Sequence, residues 1–330
     1  MNRFVRLPAS RRALSRQAWA GLGLVVLGGL GLAGVRFATQ RGSVAMLDQT
    51  DRLLAGGDRA IRLAAAARFG ADPSQHLQLF VPTDPALDPA VTGRALPLVV
   101  FIHGGGWASG DARDYRFIAR NLAPAGYAVV LAGYRLLEAG RYPAMLEDGA
   151  AALRWIAAEA QAHGGDSARI SLMGHSAGAY NAVMLALDRR WWDQGGLPDQ
   201  ALRGVIGLAG PYDFLPFDNH STIAAFGHAA DPSETQPIHH ARGDGPPLLL
   251  IHGGDDTRVL PRHSLALARA LGRSGGRSET RMLDGIGHEG LIMRFARPFL
   301  RDRRPLVLVC DFLAQVMAEP ASAPVQSAPA

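Results

Sequence analysis

Short apolar runs recur along most of this chain, each about the length of a strand and most of them followed by a helical pattern. Residues 98–102, 128–132, 169–173, 204–208 and 248–251 are almost continuously hydrophobic, as strands covered on both faces need to be. Residues 75–81 alternate apolar and polar side chains like an edge strand ending at Pro82, and 279–283 adds a further strand. Apolar positions at helical spacing predict helices over 115–123, 145–162, 179–188, 262–272 and 305–318, and a linker helix over 46–67. This alternation predicts an α/β chain whose central sheet is mostly parallel, with helices on both faces. Residues 211–247 are the least regular stretch. Tyr212, Phe214, Phe217 and Phe226 there suit a small cap or loop that shapes a pocket.

Four of the expected strand ends carry residues with chemical potential, where open α/β sheets gather their functional groups. After 169–173 comes Gly174-His175-Ser176-Ala177-Gly178, opening a helix. A serine hydroxyl is a poor nucleophile in water. It gains reactivity on a sharp strand-to-helix turn, beside a base and facing backbone donors, and small neighbours make such a turn possible. After 98–102 comes His103-Gly104-Gly105-Gly106-Trp107. Three consecutive glycines point to unusual dihedrals or close backbone approach, and neither phosphate-loop pattern occupies this loop. After 248–251 stands His252-Gly253-Gly254-Asp255-Asp256, and after 279–283 stands Gly285-Ile286-Gly287-His288. Asp256 lies three residues after Gly253 and three before Val259, the spacing at which the resemblance given below implies the functional acid, rather than at Asp255. The order Ser176, Asp256, His288 is the order in which an α/β-hydrolase supplies nucleophile, acid and base.

With Gly110-Asp111, Gly126-Tyr127, Tyr134-Arg135-Leu136 and Gly164-Gly165-Asp166, these motifs make the chain resemble an α/β-hydrolase of the bacterial carboxylesterase type. The resemblance runs from about Arg68 to Leu313 and lies near the feruloyl-esterase-like and kynurenine-formamidase-like groups. It departs from hormone-sensitive-lipase-like relatives, which carry an aspartate where His175 stands and Asp-Pro-Leu around the acid. It implies a serine hydrolase acting on small carboxylic esters through an acyl-enzyme on Ser176, with His288 as base and Asp256 orienting the imidazole. The backbone N–H groups of Gly105, Gly106 and Ala177 would form the oxyanion hole, with Gly104 an alternative to one of the glycines. No cofactor or metal is implied. Formamidase-type amide cleavage is the enzymatic alternative, and a catalytically inactive membrane-tethered module is the alternative of another class. The intact four-part site argues against decay.

Composition refines this picture. At 330 residues and 48% hydrophobic content the chain can bury the core of one large domain. Its charge of +5 contains no lysine, and residues 1–45 hold seven arginines and no acid. Removing those arginines leaves −2 for residues 46–330, so the catalytic part has no basic footprint for nucleic acid. Residues 17–35 are nineteen uncharged positions between Arg16 and Arg36, long enough as a helix to span about 28 Å. The flanking arginines predict a signal or anchor segment that contacts the membrane and places the enzyme beyond it. Two outcomes stay open, retention as an inner-membrane anchor or removal near Ser43-Val44-Ala45 with release to the periplasm. Ser10-Arg11-Arg12 resembles a twin-arginine signal. The expected organisation is a targeting segment over 1–45, a linker helix over 46–67, a catalytic domain over 68–318 and a disordered Pro-, Ala- and Ser-rich tail over 319–330. The single Cys310 excludes an intrachain disulfide.

Overall fold

The computed structural model describes residues 44–318. Most of the expected N-terminal targeting segment, including 17–35, and the tail 319–330 lie outside the described residues. Among the described residues no helix is long and apolar enough to cross a membrane.

The chain begins with helix α1 (Val44–Leu54), then strands β1 (Ile61–Arg68), β2 (His76–Pro82) and β3 (Leu96–Ile102). Helix α2 (Arg116–Leu122), β4 (Ala128–Ala132), α3 (Ala144–Glu159) and β5 (Gly165–His175) follow. Next come α4 (Ala177–Leu187), α5 (Arg189–Gln194), β6 (Leu202–Leu208), α6 (His220–Phe226), β7 (Leu248–Gly253) and α7 (Arg262–Arg273). The last elements are β8 (Ser278–Leu283), α8 (His288–Met293) and α9 (Arg304–Ala318). One sheet contains all eight strands in the order β1-β2-β4-β3-β5-β6-β7-β8. β1 and β2 pair antiparallel, as do β2 and β4, and every later pairing is parallel.

Period-two alternation along the strands divides the core. Leu98, Val100 and Ile102 of β3 face a cluster with Leu146 and Leu153 of α3 and Val183 of α4. Val99 and Phe101 face the opposite cluster, with Phe117 and Ile118 of α2 and Val309 and Phe312 of α9. Both faces of β3 are therefore dry, which is why its sequence is a continuous apolar run. The chain passes from β3 outward to β4 and then back across to β5, so the C-terminal ends of β3 and β5 border the crevice where the sheet reverses direction.

Two sequence expectations are corrected here. Residues 46–67 are not one linker helix. α1 starts at Val44, takes in the last two residues of the expected targeting segment, and ends at Leu54. Gly56 and Gly57 then turn the chain at φ of 70° and 97°, and Ile61–Arg68 forms an edge strand. The alanine run in β1 favours helix locally, but antiparallel pairing from Ile61↔Pro82 to Arg68↔His76 satisfies its backbone instead. Nor is α1 a linker, because its Asp48 and Asp51 are buried against Arg120 of α2. The strand expected over 75–81 is not an edge. β1 covers it, and Leu77 to Pro82 are buried.

Candidate active site

β5 ends at His175 and α4 begins at Ala177, so Ser176 stands alone on the turn at φ 55° and ψ −121°. A positive φ on a residue with a Cβ costs on the order of 1–3 kcal/mol and persists only when neighbours over-determine it. Here the Ser176 N–H donates to Leu208 on β6 at 2.8 Å, and its carbonyl accepts from Ala179 and Tyr180 at 3.0 and 3.1 Å. The flanking glycines have a steric cause. A Cβ on Gly174 would lie 2.2 Å from the Gly178 carbonyl oxygen, and one on Gly178 would lie 2.1 Å from that of Ile102. The elbow is thus pressed against itself and against the end of β3.

Ser176 meets residues from two other strand ends. Its Oγ is 2.9 Å from His288 Nε2, and His288 Nδ1 is 2.7 Å from Asp256 Oδ2. The carboxylate can only accept, so Nδ1 carries the proton and Nε2 is left to accept from the serine hydroxyl. Asp256 is buried whereas Asp255 is exposed. Asp256 Oδ1 accepts the N–H groups of Arg258 and Val259, both at 2.9 Å. Burial pushes this carboxyl up. The His252 N–H nearby, the hydrogen bond and charge of His288 and the Val259 N–H outweigh burial and hold Asp256 below the usual carboxylate range. His175, one residue before Ser176, lies against the His288 ring at 4.9 Å, and its Nε2–H donates to the His288 carbonyl at 3.2 Å. Burial, and then the neighbouring His288, lower His175 to about 3, so it stays neutral beside the His288 ring.

The glycine loop is held from beneath. His103 Nδ1 donates to the Gly104 carbonyl at 2.7 Å, and the Tyr134 hydroxyl donates to the His103 carbonyl at 3.1 Å. The His103 ring stacks on Tyr134 at 4.5 Å and on Tyr115 at 6.1 Å, and burial lowers it to about 4. Gly105 and Gly106 have φ of 129° and 61°, conformations that favour glycine. Among the described residues, the N–H groups of Gly105, Gly106 and Ala177 donate to no backbone carbonyl in the loops and turns. These are donors a developing oxyanion can use.

Over this loop lies the irregular stretch, which folds as α6 flanked by tight turns. Phe226 of α6 meets Trp107 edge-on at 4.8 Å and Phe214 at 5.2 Å, and Trp107 Nε1 donates to Asn181 Oδ1 of α4 at 3.2 Å. The aromatics thus clamp cap, glycine loop and elbow helix together. His228, His239 and His240 bond backbone carbonyls of Tyr142, Ser233 and Glu234. Among the described residues no His, Cys, Asp or Glu group is arranged to hold a metal ion. Trp191 and Trp192 are buried core residues, and Asp148 is structural, anchoring Arg135 and Gln75. Sequence reasoning missed the packing of His175 and the contact of His252 with Asp256. A histidine at the end of β5 and another near the end of β7 were the available signal.

The BD-FAE family model matches residues 86–271, more than half of the chain. Carboxylesterase NlhH of Mycobacterium tuberculosis is 43% identical over 112 residues, 33% of this chain and 34% of that protein. A probable isoprenylcysteine alpha-carbonyl methylesterase, ICMEL1 of Oryza sativa subsp. japonica, is 25% identical over 252 residues, 68% of this chain and 57% of that protein. The chain therefore matches about a third of the first relative's length and somewhat over half of the second's. Among solved structures, esterase B from Lactobacillus Rhamnosis superposes with a TM-score of 0.65 at 24% identity, covering 86% of this chain and 96% of that one, a likeness of fold.

Proposed function

The chain belongs to the BD-FAE family, and from that membership together with the site geometry we propose that it is a serine carboxylesterase acting on small carboxylic esters. The observation that carries this reading is the continuous relay from Ser176 Oγ through His288 to Asp256, at 2.9 and 2.7 Å. The relatives named as esterases agree with it. His288 Nε2 takes the Ser176 proton as Oγ bonds to the ester carbonyl carbon. The carbonyl oxygen becomes negative and is met by the N–H groups of Gly105, Gly106 and Ala177. Collapse breaks the bond to the alcohol oxygen, which leaves with the proton from His288. The acyl group remains on Ser176 until water, deprotonated by His288, repeats the sequence and releases the acid. Asp256 stays ionised throughout and holds the imidazole in the tautomer that can accept. Amide cleavage by the same apparatus is the competing outcome.

The decisive experiment sets a panel of short- and long-chain p-nitrophenyl esters beside N-formylkynurenine, with fluorophosphonate labelling. Ester turnover and labelling, both lost in Ser176→Ala, are expected. Preference for the formamide would move the assignment to an amidase. Full esterase activity in Ser176→Ala would remove the nucleophile from the proposal. We also propose that the segment 17–35, flanked by arginines, directs the catalytic domain to the outer side of the inner membrane, as an anchor or as a removed signal.

A further inference from the structure

His252 is fully buried and takes no part in the steps above. It sits on β7, four residues before the triad acid, with its ring enclosed by the turn that carries Asp256. Its Nε2 is 2.8 Å from the Val259 carbonyl, and a carbonyl can only accept, so Nε2 carries a proton. That nitrogen is also 3.4 Å from Asp256 Oδ2, the oxygen that accepts from His288. Nδ1 is held at 2.8 Å by Ser264 Oγ on α7.

We propose that His252 is a positioning residue for the triad acid, a second histidine set against the same Asp256 carboxylate oxygen that accepts from His288. The inference rests on the triad assignment and adds to it how the acid is aimed. Val259 is the hinge of the device. Its N–H donates to Asp256 Oδ1 while its carbonyl accepts from His252, so the acid turn closes on the side chain that precedes it. Swinging Asp256 off the line to His288 disturbs Val259, and moving Val259 breaks the bond to His252. A carboxylate oxygen can accept more than one donor, so Oδ2 receives His288 while the His252 N–H lies between it and the Val259 carbonyl. Ser264 fixes the ring's rotation and thereby the direction of that N–H. The same geometry excludes His252 as the general base. It is fully buried, and its proton-bearing nitrogen is engaged with Val259 and Asp256.

Two readouts test this: steady-state kinetics, and the low-field proton resonance of the His288–Asp256 hydrogen bond, which needs no substrate. His252→Phe keeps a flat ring and removes both nitrogens. It should lower kcat about 3- to 10-fold, the size of losing one neutral hydrogen bond, with KM unchanged and the resonance shifted or broadened. His252→Gln, whose amide can still donate to Val259, should recover most of both. Ser264→Ala leaves the ring in place and decides the matter if His252→Phe does not fold. It should shift the resonance the same way with a smaller fall in kcat. Wild-type kcat and resonance in His252→Phe or Ser264→Ala would overturn the proposal, as would equal losses in the Phe and Gln variants. A protein that hydrolyses no ester would defeat the esterase reading and leave this one to be decided by the spectrum.

Discussion

Adjacent aspartates at the end of β7 show how burial assigns chemistry to residues of identical type. Asp256 is enclosed and bonded to His288, while Asp255 is exposed. Asp256→Asn should lower kcat by roughly 10⁴-fold, because an amide no longer selects the tautomer that accepts the serine proton. Asp255→Asn should leave kcat within a few-fold, and the reverse ranking in steady-state assays would transfer the role. Buried histidines around the site set a pH dependence of stability. His103 and His175 are lowered from 6.5 to about 4 and about 3 by burial. Above pH 6.5 both are neutral in the folded and unfolded chain. Below it the unfolded chain binds protons that the folded ring refuses, so their contribution is complete above 6.5 and lost as pH falls toward the folded values. Each adds a slope of up to about 1.4 kcal/mol per pH unit in that window. Urea midpoints measured from pH 7 to 4.5 should fall, and less steeply in His175→Asn; a protein more stable at pH 4.5 than at 7 would contradict this account. That Ser176, Asp256 and His288 come together was legible because spacing relative to glycines and strand ends places them. His252 was not, since nothing in its spacing says that its ring folds back under the acid turn.

The elements are joined where glycines let backbones touch, and the same substitution should act with opposite sign at different sites. Gly178→Ala places a Cβ 2.1 Å from the Ile102 oxygen and 2.5 Å from that of His103. Backbone must move, so a loss of about 1–3 kcal/mol in stability is expected, with a fall in kcat as the glycine loop shifts away from Ser176. Gly272, near the end of α7, has no atom within 4 Å of the same added carbon. Gly272→Ala should raise stability by about 0.5–1 kcal/mol, because alanine loses less backbone entropy on entering a helix. Denaturation midpoints of the two variants moving in the same direction would refute the contact argument. Elements were most legible where packing is two-sided. Continuous apolar runs located β3 to β7 to within a few residues, although the polar start of β5 lengthened it beyond the expected five. β1 was illegible because its alanines favour helix, and its register shifts between Leu63 and Ala65, breaking the alternation that marks a strand. β2 was mistaken for an edge because its alternation is that of a strand with a single covered face, whereas β1 covers it from the side.

At the scale of the whole molecule, the first described helix is bolted to the domain by charge. Arg120 of α2 is buried, with Asp48 at 2.8 Å, Asp51 at 2.7 Å and Asp58 at 2.7 Å. Asp48 also accepts the Phe117 N–H, and Asp51 accepts the Arg297 N–H. Removing one side of such a buried cluster leaves an uncompensated charge and costs about 3–5 kcal/mol. Two truncations should therefore behave differently. One beginning at Met46 keeps all three aspartates and should be soluble and active, since the triad, the glycine loop and the cap lie beyond Arg68. One beginning at Arg59 strips the partners from Arg120 and should unfold at a lower denaturant concentration or fail to accumulate. Equal stability of the two would show that α1 is dispensable. The full chain should partition with membranes if 17–35 is retained, or run as a shorter soluble species if it is removed. The orientation proposed above, which rests on the seven arginines and absent acids of residues 1–45, has that end on the cytoplasmic side. Alkaline phosphatase, which needs export to fold, should be active when fused after Ala330, and a fluorophore that folds only in the cytoplasm should be dark. A bright fluorophore with silent phosphatase would reverse the orientation and place the hydrolase domain on the same side as its arginines.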